Sequence, residues 1–305
     1  MRIAFVEELA KLAAKDKDLW LVNGDLGFSV LENFIGRFPK QYLNVGVSEQ
    51  NMIGVAAGLA LLGKTVFAYS IVPFITLRCL EQIRNDVCIQ NLNVKLVGVG
   101  SGFSNSLMGP THHSIEDIGI MRALPNMTVV CPGDPWEVKN ATEQAYKMHG
   151  PVYLRIGKKE GDTDVKKNYK FKIGNGIIIS EGERVAIIST GNMLQESLKV
   201  VRLLADSKLS ARLISMHTVK PIDVDLIKEC GERFEYIFTI EEHSIIGGLG
   251  SAVSEAAMQN KLNVNLHSFA VADKFTKIAG SQDYLRKVNG LSCRQIAHKI
   301  LTLIN

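Results

Sequence analysis

Residues 46–58 read Gly-Val-Ser-Glu-Gln-Asn-Met-Ile-Gly-Val-Ala-Ala-Gly, and the reading of this stretch decides the fold. A short run at 42–46 ends on glycine and predicts a buried strand. Ser48 then stands as the N-cap of a helix running to Leu62. On a helical period Gly54, Ala57 and Gly58 share one face, while Met52, Val55, Leu59 and Leu62 share another. No face is left for water, so the helix is expected to be packed on both sides. Glu49 sits in its first turn, where a carboxylate is ordinarily just a partner for the helix dipole.

The same strand-to-helix step repeats on either side. Short apolar runs rich in Val and Leu at 19–23, 65–69, 94–100, 128–131 and 152–156 read as strands buried on both faces. Helical stretches fall at 5–15, 48–62, 74–90 and 135–149. The last opens with Asp134-Pro135-Trp136-Glu137, an Asp cap, a Pro at the first position and a Glu at the third. Such alternation predicts a mainly parallel sheet with helices on both faces. Ligands of these sheets lie at the carboxyl ends of the strands, where Gly24-Asp25, Ser48-Glu49 and the loop 100–112 all fall.

The segment 158–170 is charged and poor in apolar residues, and reads as a linker. A second alternating series follows, with strands near 184–189, 211–216, 236–240 and 265–270 and helices near 192–206, 223–232, 250–260 and 293–304. The expected fold class is therefore α/β: two doubly wound domains, 1–160 and 171–305.

The 305 residues carry a net charge of +4 with no basic stripe interleaved with aromatics, which gives nucleic-acid binding no support. Five widely spaced cysteines form no C-x-x-C pair and read as reduced thiols. No apolar run has membrane-spanning length, and the N-terminus lacks a signal-peptide pattern. A soluble cytoplasmic protein is expected.

The words around Glu49 carry a resemblance. Gly-Val-Ser-Glu-Gln-Asn resembles the pyrimidine-binding motif of the transketolase family of thiamine diphosphate enzymes. Gly24-Asp25-Leu26, Gly109-Pro110-Thr111-His112 and the run Glu241 to Gly250 match further family elements in the right order. The resemblance implies that Glu49 hydrogen-bonds the cofactor's aminopyrimidine and shifts it towards the form that activates the thiazolium carbon. It implies that Phe74 stacks on that ring, with Tyr69 as a second wall, and that Asp25 and Leu26 lie against the cofactor. His112 matches a histidine of the substrate channel, where an imidazole exchanges protons at neutral pH. Arg2, Ser29 and Lys158 fall near family positions that meet sugar phosphate. Glu242 and His243 read as an interface and packing element.

The diphosphate- and Mg²⁺-binding element of the family, G-D-G with a later Asn, has no match here. Leu26 breaks the glycine turn in Gly24-Asp25-Leu26, and no metal ligand is assigned to this chain. The resemblance therefore implies the C-terminal half of a split transketolase. Its cofactor would be shared with an N-terminal subunit that holds the diphosphate and Mg²⁺, in a dimer of heterodimers. Gly100 stands where sugar-phosphate transketolases usually carry His, and Met108 replaces an acidic residue, so the sugars or sugar phosphates need not be the standard pentose phosphates. Two rival readings are the beta subunit of another thiamine diphosphate enzyme (a 2-oxoacid dehydrogenase or a deoxyxylulose phosphate synthase relative) and a non-catalytic partner-binding paralogue.

Overall fold

Twelve strands are assembled into two sheets in the computed structural model, which describes residues 1–158 and 169–304. The strands are β1 (Leu19–Asn23), β2 (Tyr42–Asn44), β3 (Thr65–Ile71), β4 (Val94–Val99), β5 (Thr128–Val130), β6 (Val152–Ile156), β7 (Ile177–Ser180), β8 (Val185–Ser189), β9 (Ala211–Ser215), β10 (Thr218–Lys220), β11 (Tyr236–Ser244) and β12 (Asn265–Val271). The first sheet has the order β10-β5-β6-β4-β3-β1-β2 and the second β12-β11-β8-β9-β7. All pairings are parallel except β10 with β5 and β7 with β9. Both halves are thus α/β with mainly parallel sheets, as the alternation predicts.

Each sheet is covered on both faces. In the first, Phe5 and Leu9 of the Arg2–Ala13 helix and Val138 and Ala141 of the Pro135–Lys147 helix pack one side. Met52, Ile53, Val72 and Ile75 pack the other. Asp134 caps its helix as expected, accepting from Glu137 N at 2.7 Å. In the second, the Leu194–Asp206 and Cys293–Ile304 helices cover one face and the Val224–Arg233 and Leu249–Gln259 helices the other.

Several expectations are corrected. The strand at 42–46 is not buried: β2 is an edge strand, with Leu43 and Asn44 exposed. The helix after it spans Glu49–Leu61, and the Ser48 hydroxyl donates to Val45 O at 2.8 Å instead of capping it. Nor is this helix covered all round. Glu49, Met52, Ile53, Ala56 and Ala57 face the core, while Gln50, Asn51, Gly54, Gly58 and Leu61 are open within this chain. Sequence reports apolarity, not which chain covers it. The helix expected over 74–90 is broken into Val72–Thr76, Leu80–Gln82 and a wide turn at Ile83–Cys88. The short helices Glu32–Arg37, Asp117–Ala123 and Gln282–Val288 and the strands β7 and β10 have no counterpart among the expected elements. Most of the expected linker, 158–170, lies outside the described residues.

The two sheets are stapled together. β10 follows β9 in the chain yet joins the first sheet, antiparallel to β5. Arg155 and Asp117 form an ion pair with both side chains 1% exposed, and Arg155 Nη2 also donates to Glu242 O at 3.1 Å. Glu242 accepts from Phe103 N of the first half and from Gln282 and Arg286 of the second. Gly119 and Gly247 touch backbone to backbone: a Cβ on Gly247 would lie 3.0 Å from the Gly119 Cα. This seam fixes the loop 100–112, whose base Ser114 and Phe103 are held by it.

Candidate functional site

The loops after β1, β2, β3, β4 and β6 emerge on one edge of the first sheet, because neighbouring parallel strands end on the same side. Glu49 lies there, 2% exposed, at the start of its helix. Gly24 at the end of β1 lies beside it: an added Cβ would make ordinary contact with Glu49 Cγ, at 3.5 Å. Phe74 enters from the turn after β3, and its ring meets His112 edge-on with centroids 5.0 Å apart. His112 follows Gly109, whose φ of 76° makes the sharp turn, and its Nδ1 lies 2.9 Å from Thr111 Oγ1. Partial burial lowers the His112 pKa, which favours the neutral form of the imidazole. Glu49, Phe74 and His112, drawn from three segments, are thus brought together.

The sequence reading missed Arg78. Its Nη1 donates to Glu49 Oε2 at 2.5 Å, and its guanidinium lies over the Phe74 ring, 4.5 Å from the centroid. The four-residue spacing from Phe74 is a visible signal, since it places both on one helical face. The break in the helix is not visible, and Arg78 sits in it: Leu77 N and Arg78 N both donate to Pro73 O.

The remaining residues are placed less uniformly. Tyr69 is fully buried, stacked on Phe5 at 5.9 Å, with its edge beside Gly27. Its hydroxyl has no hydrogen-bond partner among the described residues, and burial pushes its pKa up to about 12, opposed weakly by the Arg2 charge. It packs in the core under the β1 loop, and Phe74 is the aromatic that meets His112 and Arg78. Asp25 is exposed at φ 56°, held by Asn44 through Asp25 N to Oδ1 at 3.0 Å and Nδ2 to Asp25 Oδ1 at 2.9 Å. Leu26 is half-buried, its carbonyl taking the Asn23 amide at 2.7 Å. Ser29 is exposed at φ 63°, its N–H bonded to Glu32 at 2.6 Å. Arg2 begins the first helix, and Lys158 is exposed just after β6. Gly100 has φ 87°, and a Cβ there would fall 2.1 Å from Asn105 Nδ2, so the Asn105 amide fills the space beside this glycine. Leu107 and Met108 project from the same loop, 78% and 62% exposed.

His113 turns away from the site, buried edge-on against Phe103 at 5.1 Å. Glu241 accepts from Leu249 N and Gly250 N at 2.7 and 2.8 Å, which satisfies the start of the Leu249–Gln259 helix. Glu242 in the seam and His243, whose Nε2 accepts from Gly119 N at 3.3 Å, lie between the two halves, where the sequence reading puts an interface and packing element. Cys79, Cys88, Cys131 and Cys230 are buried free thiols, and Cys293 is half-buried. No helix among the described residues is long and apolar enough to cross a membrane.

Comparison with known proteins shows the family. Residues 1–162 match the family model for the transketolase pyrimidine-binding domain, and residues 174–296 match that for the transketolase C-terminal domain. A protein of Methanocaldococcus jannaschii named as a transketolase C-terminal section is 40% identical over 99% of this chain and 95% of its own length. A 6-deoxy-6-sulfo-D-fructose transketolase subunit of Clostridium sp. is 36% identical over 98% of this chain and 94% of its own. A solved structure described as a split gene transketolase, inactive beta4 tetramer, superposes with a TM-score of 0.90 at 33% identity, covering 99% of this chain and 97% of that one. The chain belongs to the transketolase family and corresponds to its C-terminal section, the pyrimidine-binding domain followed by the C-terminal domain.

Proposed function

We propose that this chain is the C-terminal subunit of a split transketolase and takes part in moving a two-carbon ketol unit between sugars or sugar phosphates. What carries the reading is the grouping of a buried carboxylate, Glu49, with the Phe74 ring and the His112 imidazole at one edge of the sheet. Thiamine diphosphate, when bound, supplies a carbon nucleophile for attack on a carbonyl. The residues fit its aminopyrimidine. A flat nitrogen-bearing group, the Arg78 guanidinium, already lies over the Phe74 ring and donates to Glu49. A planar heterocycle in its place would make the same two contacts.

In this reading Glu49 shares a proton with the ring nitrogen, and Phe74 fixes the ring's plane. His112 accepts and returns a proton at the substrate hydroxyl or carbonyl oxygen. Asp25 and Leu26 border the cofactor from the β1 loop, with Tyr69 supporting that loop from beneath. Arg2, Ser29 and Lys158 receive the phosphate of a phosphorylated sugar, and the Asn105 amide beside Gly100 offers the sugar a polar group. The diphosphate and its Mg²⁺ are held mainly by an N-terminal subunit, and two such pairs form the active assembly in the cytoplasm. The pyrimidine-binding domain is taken as 1–160 and the C-terminal domain as 171–305.

The test is Glu49→Ala in the complex reconstituted with the N-terminal subunit, reading both turnover and thiamine diphosphate binding. Turnover should fall by at least about a thousandfold, the scale of a group that acts in the transition state. Near-normal turnover would remove Glu49 from the chemistry, and the cofactor assignment with it.

A further inference from the structure

Arg78 makes both contacts that the proposed site offers a pyrimidine. Its guanidinium covers a face of Phe74 at 4.5 Å, and its Nη1 takes Glu49 Oε2 as acceptor at 2.5 Å. Like the ring it would displace, guanidinium is planar, delocalised and edged with N–H groups. Two flat groups cannot lie at stacking distance on the same face of one ring. We infer that Arg78 is an internal stand-in for the cofactor ring, closing the pyrimidine seat in the free subunit and swinging out when the cofactor enters. The inference rests on the reading that Glu49 and Phe74 receive the pyrimidine.

The arrangement is asymmetric in the way such a device needs. The Glu49 side chain is 2% exposed and fixed at a helix start, whereas the Arg78 side chain is 44% exposed. The cation can therefore leave towards water without being desolvated; the carboxylate cannot follow. A second resting place lies beside it. Arg78 borders an open groove of about 580 Å³, shared with Gln50, Leu77, Glu81 and Arg84. The Glu81 carboxylate, three residues on, offers the guanidinium a new partner at an ordinary surface cost. The backbone at Arg78 lies in the turn between the Val72–Thr76 and Leu80–Gln82 helices, so the side chain moves without unwinding either.

Closing the seat also protects the subunit. A buried carboxylate without a partner is costly, and Arg78 supplies that partner until the cofactor does. Cofactor binding is then an exchange of one partner of Glu49 for another, and the affinity measured is net of releasing Arg78.

The experiment is calorimetric titration of thiamine diphosphate with Mg²⁺ into the complex of this chain with its N-terminal subunit, comparing wild type, Arg78→Met and Arg78→Lys. Methionine keeps much of the length of the side chain but cannot bridge to Glu49. Binding about tenfold tighter for Arg78→Met is expected, with Arg78→Lys between it and wild type. A second readout uses the unmutated complex: phenylglyoxal labelling of Arg78, followed by peptide mass spectrometry, should rise severalfold on saturation with the cofactor. Unchanged or weaker binding by a folded Arg78→Met complex, or labelling that stays level or falls, would mean that Arg78 remains on Glu49 in the loaded site and overturn the inference. Failure of the wild-type complex to bind thiamine diphosphate would instead overturn the proposed function itself.

Discussion

Replacing Arg155 by Met tests the seam that holds the site's loops in place. Arg155 is 2% exposed, and its Nε and Nη2 bond Asp117 at 2.7 and 3.2 Å. Nη2 also donates to Ser114 O at 2.7 Å and Glu242 O at 3.1 Å, which ties β6 to the base of the 100–112 loop and to β11. Methionine fills much of the volume but leaves Asp117 with the Tyr153 hydroxyl, 2.6 Å away, in place of a cation. Breaking a buried pair this way costs about 3–5 kcal/mol. The two carbonyls left without their donor add about 1 kcal/mol. A total of about 4–6 kcal/mol is a large part of any domain's stability. In urea unfolding of the chain, followed by circular dichroism, the midpoint should fall by roughly 2 M at an m-value of about 2–3 kcal/mol/M. Most of the loss comes from the stranded charge, so adding Asp117→Asn, which keeps an acceptor for Tyr153, should restore at least about 2 kcal/mol. A loss below about 1 kcal/mol, or a double variant no more stable than the single one, would refute this account of the seam.

Two buried titratable groups near the same seam give opposite pH slopes. Burial, then the nearby Asp134 charge, raises the Glu137 pKa to about 7 against the bonds from Ser215 and Gly133. The folded state thus holds a proton that the unfolded state releases, and this stabilisation is present below about pH 4.5 and lost as pH rises towards about 7. Glu137→Gln should therefore gain on wild type across that window, by at most about 3 kcal/mol, in melting temperatures taken against pH; parallel curves would rule it out. Burial lowers the His217 pKa to about 3, so its contribution is complete above about pH 6.5 and drains away as pH falls. His217→Phe, which keeps the ring stacked on Phe171 at 4.0 Å, should lose less stability than wild type on acidification, and an equal loss would contradict it. Gly182→Ala would bring a Cβ within 2.1 Å of the Ala211 carbonyl carbon, backbone that cannot move aside. Thermal unfolding should show a loss of about 3 kcal/mol or more, and a neutral result would place that turn wrongly.

What the sequence reveals is local. The apolar runs at 19–23 and 152–156 are strands with those bounds, and Asp134 caps the helix it precedes, because periodicity and capping depend on residues a few positions apart. Glu49, Phe74 and His112 can be named because each lies in a short stretch with its own signature. What stays hidden is long-range. Phe103 and Glu242 are 139 positions apart, and nothing near either foretells the bond between them. Arg155 reads as one charge in an apolar strand until Asp117, 38 positions away, is folded against it. β10 is too short to carry a period and is defined only by the edge it finds on β5. Arg78 lies between these cases, with visible spacing and an invisible break.

The glycines of the Glu49–Leu61 helix show a further limit of local reading. Gly54 and Gly58 suggest close packing, yet a Cβ added to either meets nothing within 4 Å among the described residues. In a helix interior, alanine at such a position would be favoured by about 1 kcal/mol. Folding of this chain therefore gives no reason for glycine at either place. The surrounding surface supplies one. Val47 before the helix and Leu61 and Leu62 at its end are 75%, 62% and 76% exposed, and the polar Gln50 and Asn51 stand open one turn before Gly54. A helix face with bare backbone at Gly54 and Gly58, Gln50 and Asn51 at its start and Leu61 at its end suits the near approach of another backbone, as small residues do wherever helices pack closely. That face begins one residue from Glu49. A subunit seated there would arrive beside the carboxylate it is proposed to share a cofactor with, and assembly and chemistry would then draw on the same helix.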